Sequence, residues 1–161
     1  MTTPADSGDI AADGATHGTV SAAAFRFRRP VDVRFHDLDA FGHAHHTLPL
    51  IYFEEVRAQY WHEVAGRSGV AGIDYLLARA SVQYHARIPF PARLTVGVRT
   101  TRLGETSFTM AYAVWSPSQD LLATGETVQV MYDYATGRSK PIPADVRDRV
   151  ARYEQLSAAE R

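Results

Sequence analysis

The sequence predicts an α+β protein in which a curled antiparallel sheet of about five strands packs against one long central helix. Three observations predict it. Apolar and polar residues alternate over most of the chain, the period of a half-buried strand. One long stretch changes to three- and four-residue spacing, the period of a buried helix face. The strand-like stretches that follow are joined by turns too short for crossovers, so their neighbours run antiparallel.

The elements follow in order. Residues 1–24 are small and polar, with almost no large apolar side chains, and cannot offset the entropy of ordering themselves. They are expected to form a disordered tail, leaving one domain over residues 25–156. Phe25, Phe27, Val31, Val33 and Phe35 share one parity against Arg26, Arg28, Asp32 and Arg34, which predicts a first strand. Pro30 suggests an edge position or a bulge. From His46 to Val64 the period becomes helical, with Leu50, Phe53, Val56, Tyr60, Trp61 and Val64 on the apolar face. Pro49 suits the first turn, and Gly66-Arg67-Ser68-Gly69 ends the helix. Strand faces are then expected at Leu76, Ala78, Ala80, Val82 and Tyr84, at Leu94, Val96 and Val98, at Phe108, Met110, Tyr112 and Val114, and at Leu122, Val128, Val130 and Tyr132. A short helix is expected to open at Pro143 and run through Tyr153.

Composition narrows the function. The 161 residues carry 17 Lys and Arg against 18 Asp and Glu, a net charge of −1, which argues against a nucleic-acid partner. The absence of cysteine excludes disulfides, thiolate zinc sites, iron–sulfur clusters and cysteine nucleophiles. No apolar run approaches the roughly 18 residues of a membrane helix, and the N-terminus lacks a basic start followed by an apolar stretch. A cytoplasmic location and no membrane partner are expected.

Chemistry concentrates between the first strand and the long helix. Four of the seven histidines and two aspartates fall between His36 and His46. A helix start adds unpaired amides and a positive dipole end, which together with a carboxylate can stabilise an oxyanion and attack beside it. The alternative is that Asp37 and Asp39 only cap the turn and the helix, and these residues alone leave both readings open.

The run from Val33 through His43, containing Asp37-Leu38-Asp39 and Gly42-His43, followed by Tyr52-Phe53-Glu54-Glu55-Val56-Arg57, resembles the hotdog-fold acyl-CoA thioesterases of the 4-hydroxybenzoyl-CoA thioesterase type. Leu103 to Phe108 and Thr136 to Pro143 resemble the family's mid-sheet turn and the end of its last strand. The resemblance extends over residues 31–150. It implies a thioester hydrolase that releases a carboxylate and free CoA, with no cofactor beyond the CoA of the substrate. Asp39 matches the catalytic aspartate, as nucleophile or as base for a water. The backbone N–H of His46 matches the carbonyl-polarising donor, and His43 stands where the family often has histidine. The resemblance also implies substrate-binding roles for Gly42, His45, Thr106 and Ser107, and Arg99 and Arg102 are candidates for the CoA phosphates. Acyl-CoA or an acyl carrier protein is the implied partner, and the family's interfacial sites imply a homodimer or homotetramer. The family's Asn-Asn pair is His45-His46 in this chain, and its helix tyrosine is Pro49.

Three other readings compete. A metal site could draw on Asp37, Asp39, His43, His45 and His46, but the spacing is poor and none is expected. A hotdog dehydratase or hydratase would pair His43 with Asp39 or Glu54. A non-catalytic binding protein would keep only the groove. On the helix, Glu54 and Arg57 are spaced to pair. The outward residues Thr109, Ala111, Ala113 and Trp115 are apolar enough to expect cover from a partner subunit.

Overall fold

The computed structural model describes residues 20–69 and 72–161. Most of the expected tail, residues 1–19, lies outside the described residues; the rest leads through a 3₁₀ turn, Ala22–Ala24, into the domain. The elements are β1 (Phe27–Asp32), a second 3₁₀ turn (Phe35–Asp37), α1 (Leu48–Glu63), β2 (Tyr75–Tyr84), β3 (Arg93–Leu103), β4 (Ser107–Trp115), β5 (Leu121–Asp133), the short β6 (Arg138–Ser139) and α2 (Ala144–Glu154). The sheet order is β1-β3-β4-β5-β2, with β6 hairpinned onto β5, and every pairing is antiparallel. This is the expected α+β hotdog architecture, with α1 against the concave face. Pro30 sits on the edge strand β1, where its missing N–H costs no ladder bond.

The core forms where α1 meets the sheet. Tyr52, Phe53, Val56 and Tyr60 are fully buried. Phe53 stacks on Tyr112 at 4.4 Å and Trp61 on Phe108 at 4.8 Å between ring centroids. Gly125 in β5 makes room for the helix, since a Cβ there would stand 2.3 Å from Phe53 and 2.7 Å from the Ser81 carbonyl oxygen.

Several expectations are corrected. Leu50 is exposed; Tyr52 and Arg57 occupy the buried face of α1 instead. Phe35 is exposed because the chain has left β1 for the 3₁₀ turn, where it rests edge-on against Phe90. In β5 the buried parity is Ala123, Thr127, Gln129 and Met131, not Val128, Val130 and Tyr132. A register shift opposite Val114 and Trp115 places Leu122 and Ala123 together in the core, and one extra residue turns every later side chain to the other face. The polar pair is accommodated by Arg57, which does not pair with Glu54. Its guanidinium donates to Tyr112 Oη at 3.3 Å, Tyr112 Oη shares a 2.9 Å bond with Thr127 Oγ1, and Gln129 donates to the same Thr127 oxygen at 2.5 Å. The β2 residues expected on a buried face are exposed or half-buried, because β2 is the other edge of the sheet. Lastly, Ala113 and Trp115 are covered by the chain's own N-terminal segment rather than by a partner. Phe25 meets Trp115 edge-on at 5.4 Å, with Val20 and Ala22 beside them, and Gly97 leaves the space that Phe25 fills.

Candidate active site

The loop between β1 and α1 is built around two aspartates with different duties. Asp37 is buried, 3% exposed. Its Oδ2 accepts the Arg34 N–H at 2.8 Å and the Tyr52 hydroxyl at 3.3 Å, with Arg34 Nε 3.5 Å away. Burial, reinforced by this carboxylate, pushes the Tyr52 hydroxyl well above the usual tyrosine range. Asp37 thus caps the 3₁₀ turn and ties it to the first turns of α1, a structural duty.

Asp39 starts a tight turn and is only half-buried. Its N–H donates to the His43 carbonyl at 2.8 Å and its carbonyl accepts from Gly42 N–H at 3.1 Å. Its Oδ1 accepts the amides of Phe41 at 2.8 Å and His43 at 3.2 Å. Gly42 closes the turn at φ +75, a conformation that favours glycine. Burial acts to raise the Asp39 pKa, but the hydrogen bonds from the Phe41 and His43 amides hold it below the usual carboxylate value. Among the described residues Oδ2 carries no hydrogen bond. The turn therefore presents an ionised carboxylate with one oxygen anchored and the other free.

The chain then approaches α1 with its amides almost fully used. Ala44 N–H donates to Ile88, His45 N–H to the Asp37 carbonyl at 2.9 Å, and Leu48 N–H to the His45 carbonyl at 2.9 Å. Thr47 N–H reaches His45 Nδ1 at 3.3 Å, and Pro49 has no N–H to offer. From Ala44 to Pro49 the one amide left without a partner among the described residues is that of His46. The Tyr84 hydroxyl, from the end of β2, donates to the His46 carbonyl.

The remaining candidates divide. The His43 ring makes no hydrogen bond to Asp39; it is the His43 backbone that does. The His45 and His46 rings lie against each other at 4.0 Å. Thr106 and Ser107 sit in the β3–β4 hairpin, at the opposite end of the sheet. Asp32 pairs with Arg93 at the start of β3, whereas the hairpin follows Leu103 at its end, roughly 30 Å along the strand at ~3.3 Å per residue. One chain alone does not bring them to Asp39. Arg99 and Arg102 lie at that far end too. Arg99 is drawn to the C-terminal segment, where its charge opposes the burial that raises the Glu154 pKa and adds to the Ser157 hydrogen bonds that lower that of Glu160, and its buried Nε has no hydrogen-bond partner among the described residues. Arg102 is exposed. Among the described residues no three His, Cys, Asp or Glu side chains are grouped to hold a metal ion.

Sequence reasoning missed Tyr84 as a neighbour of the site, because a strand-end tyrosine with apolar parity reads as core. It also missed the anchoring of Asp37 by Tyr52, for which the spacing of a carboxylate and a helix tyrosine is too weak a signal.

Comparison with known proteins gives a consistent picture. The family model described as the thioesterase-like superfamily matches residues 33–150. The uncharacterized protein YsmA of Bacillus subtilis (strain 168) is 30% identical over 115 residues, covering 71% of this chain and 78% of that protein. A thioesterase from Thermus thermophilus, solved in complex with coenzyme A and Zn, is 31% identical with a TM-score of 0.74, covering 83% of this chain and 98% of that one. A thioesterase superfamily structure from Jannaschia sp. CCS1 is 25% identical with a TM-score of 0.76, covering 84% of this chain and 87% of that one.

Proposed function

Because the chain belongs to the thioesterase-like superfamily, we propose that it hydrolyses acyl-CoA thioesters, with Asp39 as the attacking or water-activating carboxylate and His46 N–H as the oxyanion donor. The observation that carries this reading is the unpaired His46 amide at the head of α1, on the same short loop as an ionised carboxylate with a free oxygen. The thioester oxygen would accept from His46 N–H, and the carbonyl carbon would face Asp39 Oδ2. Attack by the carboxylate forms a mixed anhydride and expels the CoA thiolate, and water then cleaves the anhydride to free acid and carboxylate. In the general-base variant Asp39 takes a proton from the attacking water and the thiolate leaves as the tetrahedral intermediate collapses. Thiolate is a good leaving group, so neither route calls for a metal. One preorganised donor of this kind is worth about 2.7–4 kcal/mol in the transition state. The T. thermophilus relative, whose structure contains coenzyme A, supports CoA as the carrier.

The second half of the groove comes, in this proposal, from a second copy of the chain. Among the described residues the outer edge of β2 is unpaired and exposes Leu76 at 41%, Leu77 at 51% and Tyr84 at 52%, the kind of edge that recruits another strand. Thr106 accepts from Met131 N–H, and Met131 pairs with Tyr75 at one end of β2; His46 is bonded to Tyr84 at the other end. Antiparallel pairing of two β2 edges sets the Tyr75 end of one chain beside the Tyr84 end of the next. The hairpin carrying Thr106 and Ser107, with Arg99 and Arg102 near it, then approaches the other protomer's Asp39 loop. A homodimer is the minimal active unit, and a homotetramer would contain two. The dehydratase reading gains nothing here, because the His43 ring is not hydrogen-bonded to a carboxylate.

The test is a thiol-release screen over short, long and aromatic acyl-CoAs, with water loss from a hydroxyacyl-CoA followed in parallel. Thiol release from at least one acyl class is expected. Water loss without thiol release would replace the hydrolase with a dehydratase.

A further inference from the structure

The peptide between His46 and Thr47 is gripped at both ends by side chains. Its N–H donates to His45 Nδ1 at 3.3 Å, and the Thr47 hydroxyl lies 2.9 Å from the same nitrogen. Its carbonyl, that of His46, accepts from the Tyr84 hydroxyl. An amide N–H only donates, so His45 Nδ1 must be the unprotonated ring nitrogen, with the Thr47 hydroxyl as a second donor to it. Thr47 is the N-cap of α1, yet its side chain makes no capping bond. The imidazole of His45 instead holds the N-cap residue's own amide, two residues ahead.

The arrangement bears on the next peptide back. The His45 carbonyl is held by Leu48 N–H at 2.9 Å, so with the 46–47 peptide also held, the free His46 N–H has one direction in which to point. We propose that His45 and Tyr84 are positioning residues forming a two-point clamp that aims the His46 N–H at the substrate carbonyl. This inference rests on the hydrolase reading above. An asparagine side-chain oxygen accepts from the amide two residues on in the same way, so the two residue types share the one property the clamp uses. Without the clamp Thr47 N–H becomes a second unpaired amide beside His46, and the turn is free to rotate the donor off the carbonyl.

The test uses the full-length protein and its best acyl-CoA from the screen. His45→Ala is expected to lower kcat about 10- to 100-fold, less than outright loss of a donor, with KM changed by less than about threefold. His45→Asn is expected to restore kcat to within about threefold of wild type. Tyr84→Phe is expected to lower kcat in the same direction as His45→Ala, with the oligomeric state checked by light scattering because Tyr84 adjoins the β2 edge. Amide hydrogen exchange supplies a readout independent of turnover: Thr47 N–H is protected in wild type and His45→Asn, and exchanges faster in His45→Ala. Unchanged kcat in His45→Ala, or equal losses in His45→Ala and His45→Asn, overturns the clamp while leaving the hydrolase intact. Absence of thiol release from the wild type overturns the hydrolase reading, and this inference with it.

Discussion

Gly125→Ala tests whether α1 is seated as tightly as the packing shows. The added methyl would lie 2.3 and 2.9 Å from Phe53 ring carbons and 2.7 Å from the Ser81 carbonyl oxygen. Neither neighbour has freedom to yield. Phe53 is fully buried and stacked on Tyr112, and Ser81 lies in the ladder between β2 and β5. Overpacking of this kind costs about 3 kcal/mol, and removing a strand glycine returns about 0.5–1 kcal/mol of backbone entropy. The net loss is about 2 kcal/mol, a fall in Tm of about 4–8 °C for a domain of this size. Urea denaturation and a thermal melt measure it. Phe53→Leu in the Gly125→Ala background should recover part of the loss, giving a coupling energy of about 1 kcal/mol in a double-mutant cycle. A Gly125→Ala protein as stable as wild type, or strictly additive mutations, would refute the claim that ring and glycine share one space. Because Phe53 is about one helical turn beyond Pro49, the same substitution should also reduce turnover by tilting the helix start.

Three further outcomes are expected. Burial raises the Glu154 pKa despite its bonds from Tyr60 Oη at 2.8 Å and Thr100 N–H at 3.1 Å. The folded state therefore holds that proton more tightly than the unfolded state, and this contribution to stability is lost as pH rises from the unfolded value through the folded one. Glu154→Gln should accordingly be more stable than wild type at pH 8, with a flatter stability profile across that window in urea melts. Phe25→Ala should cost about 3 kcal/mol in the same melts without changing the oligomeric state by light scattering, since Trp115 is covered from within the chain. Thiol release should persist in EDTA, and its loss on chelation would reintroduce a metal.

The alternation of β1, β3 and β4 and the helical spacing of residues 46–64 made the architecture legible because each has one wet and one dry face. What was hidden shares a single cause, side chains whose partners are remote in sequence. Thr127 and Gln129 look like an outer face until Arg57 is known to be buried opposite them. Val128 and Val130 look like core until the shift at Leu122 is seen. Trp115 looks like a docking surface until Phe25 is laid over it. In the loop, the aspartate pair and the histidines were visible, but nothing in the spacing says that Asp37 is the anchored carboxylate and Asp39 the one with a free oxygen. That difference comes from Tyr52 and the turn at Gly42.

The most direct measurement is the kcat for thiol release by Asp39→Asn beside wild type, with CoA binding followed by calorimetry in both. Asparagine keeps the acceptor for the Phe41 and His43 amides through its side-chain oxygen, so the loop should hold and CoA affinity should change little. If the Asp39 carboxylate attacks or activates the attacking water, kcat falls by at least about 10³-fold. An Asp39→Asn protein that binds CoA normally and turns over within about tenfold of wild type would contradict that role.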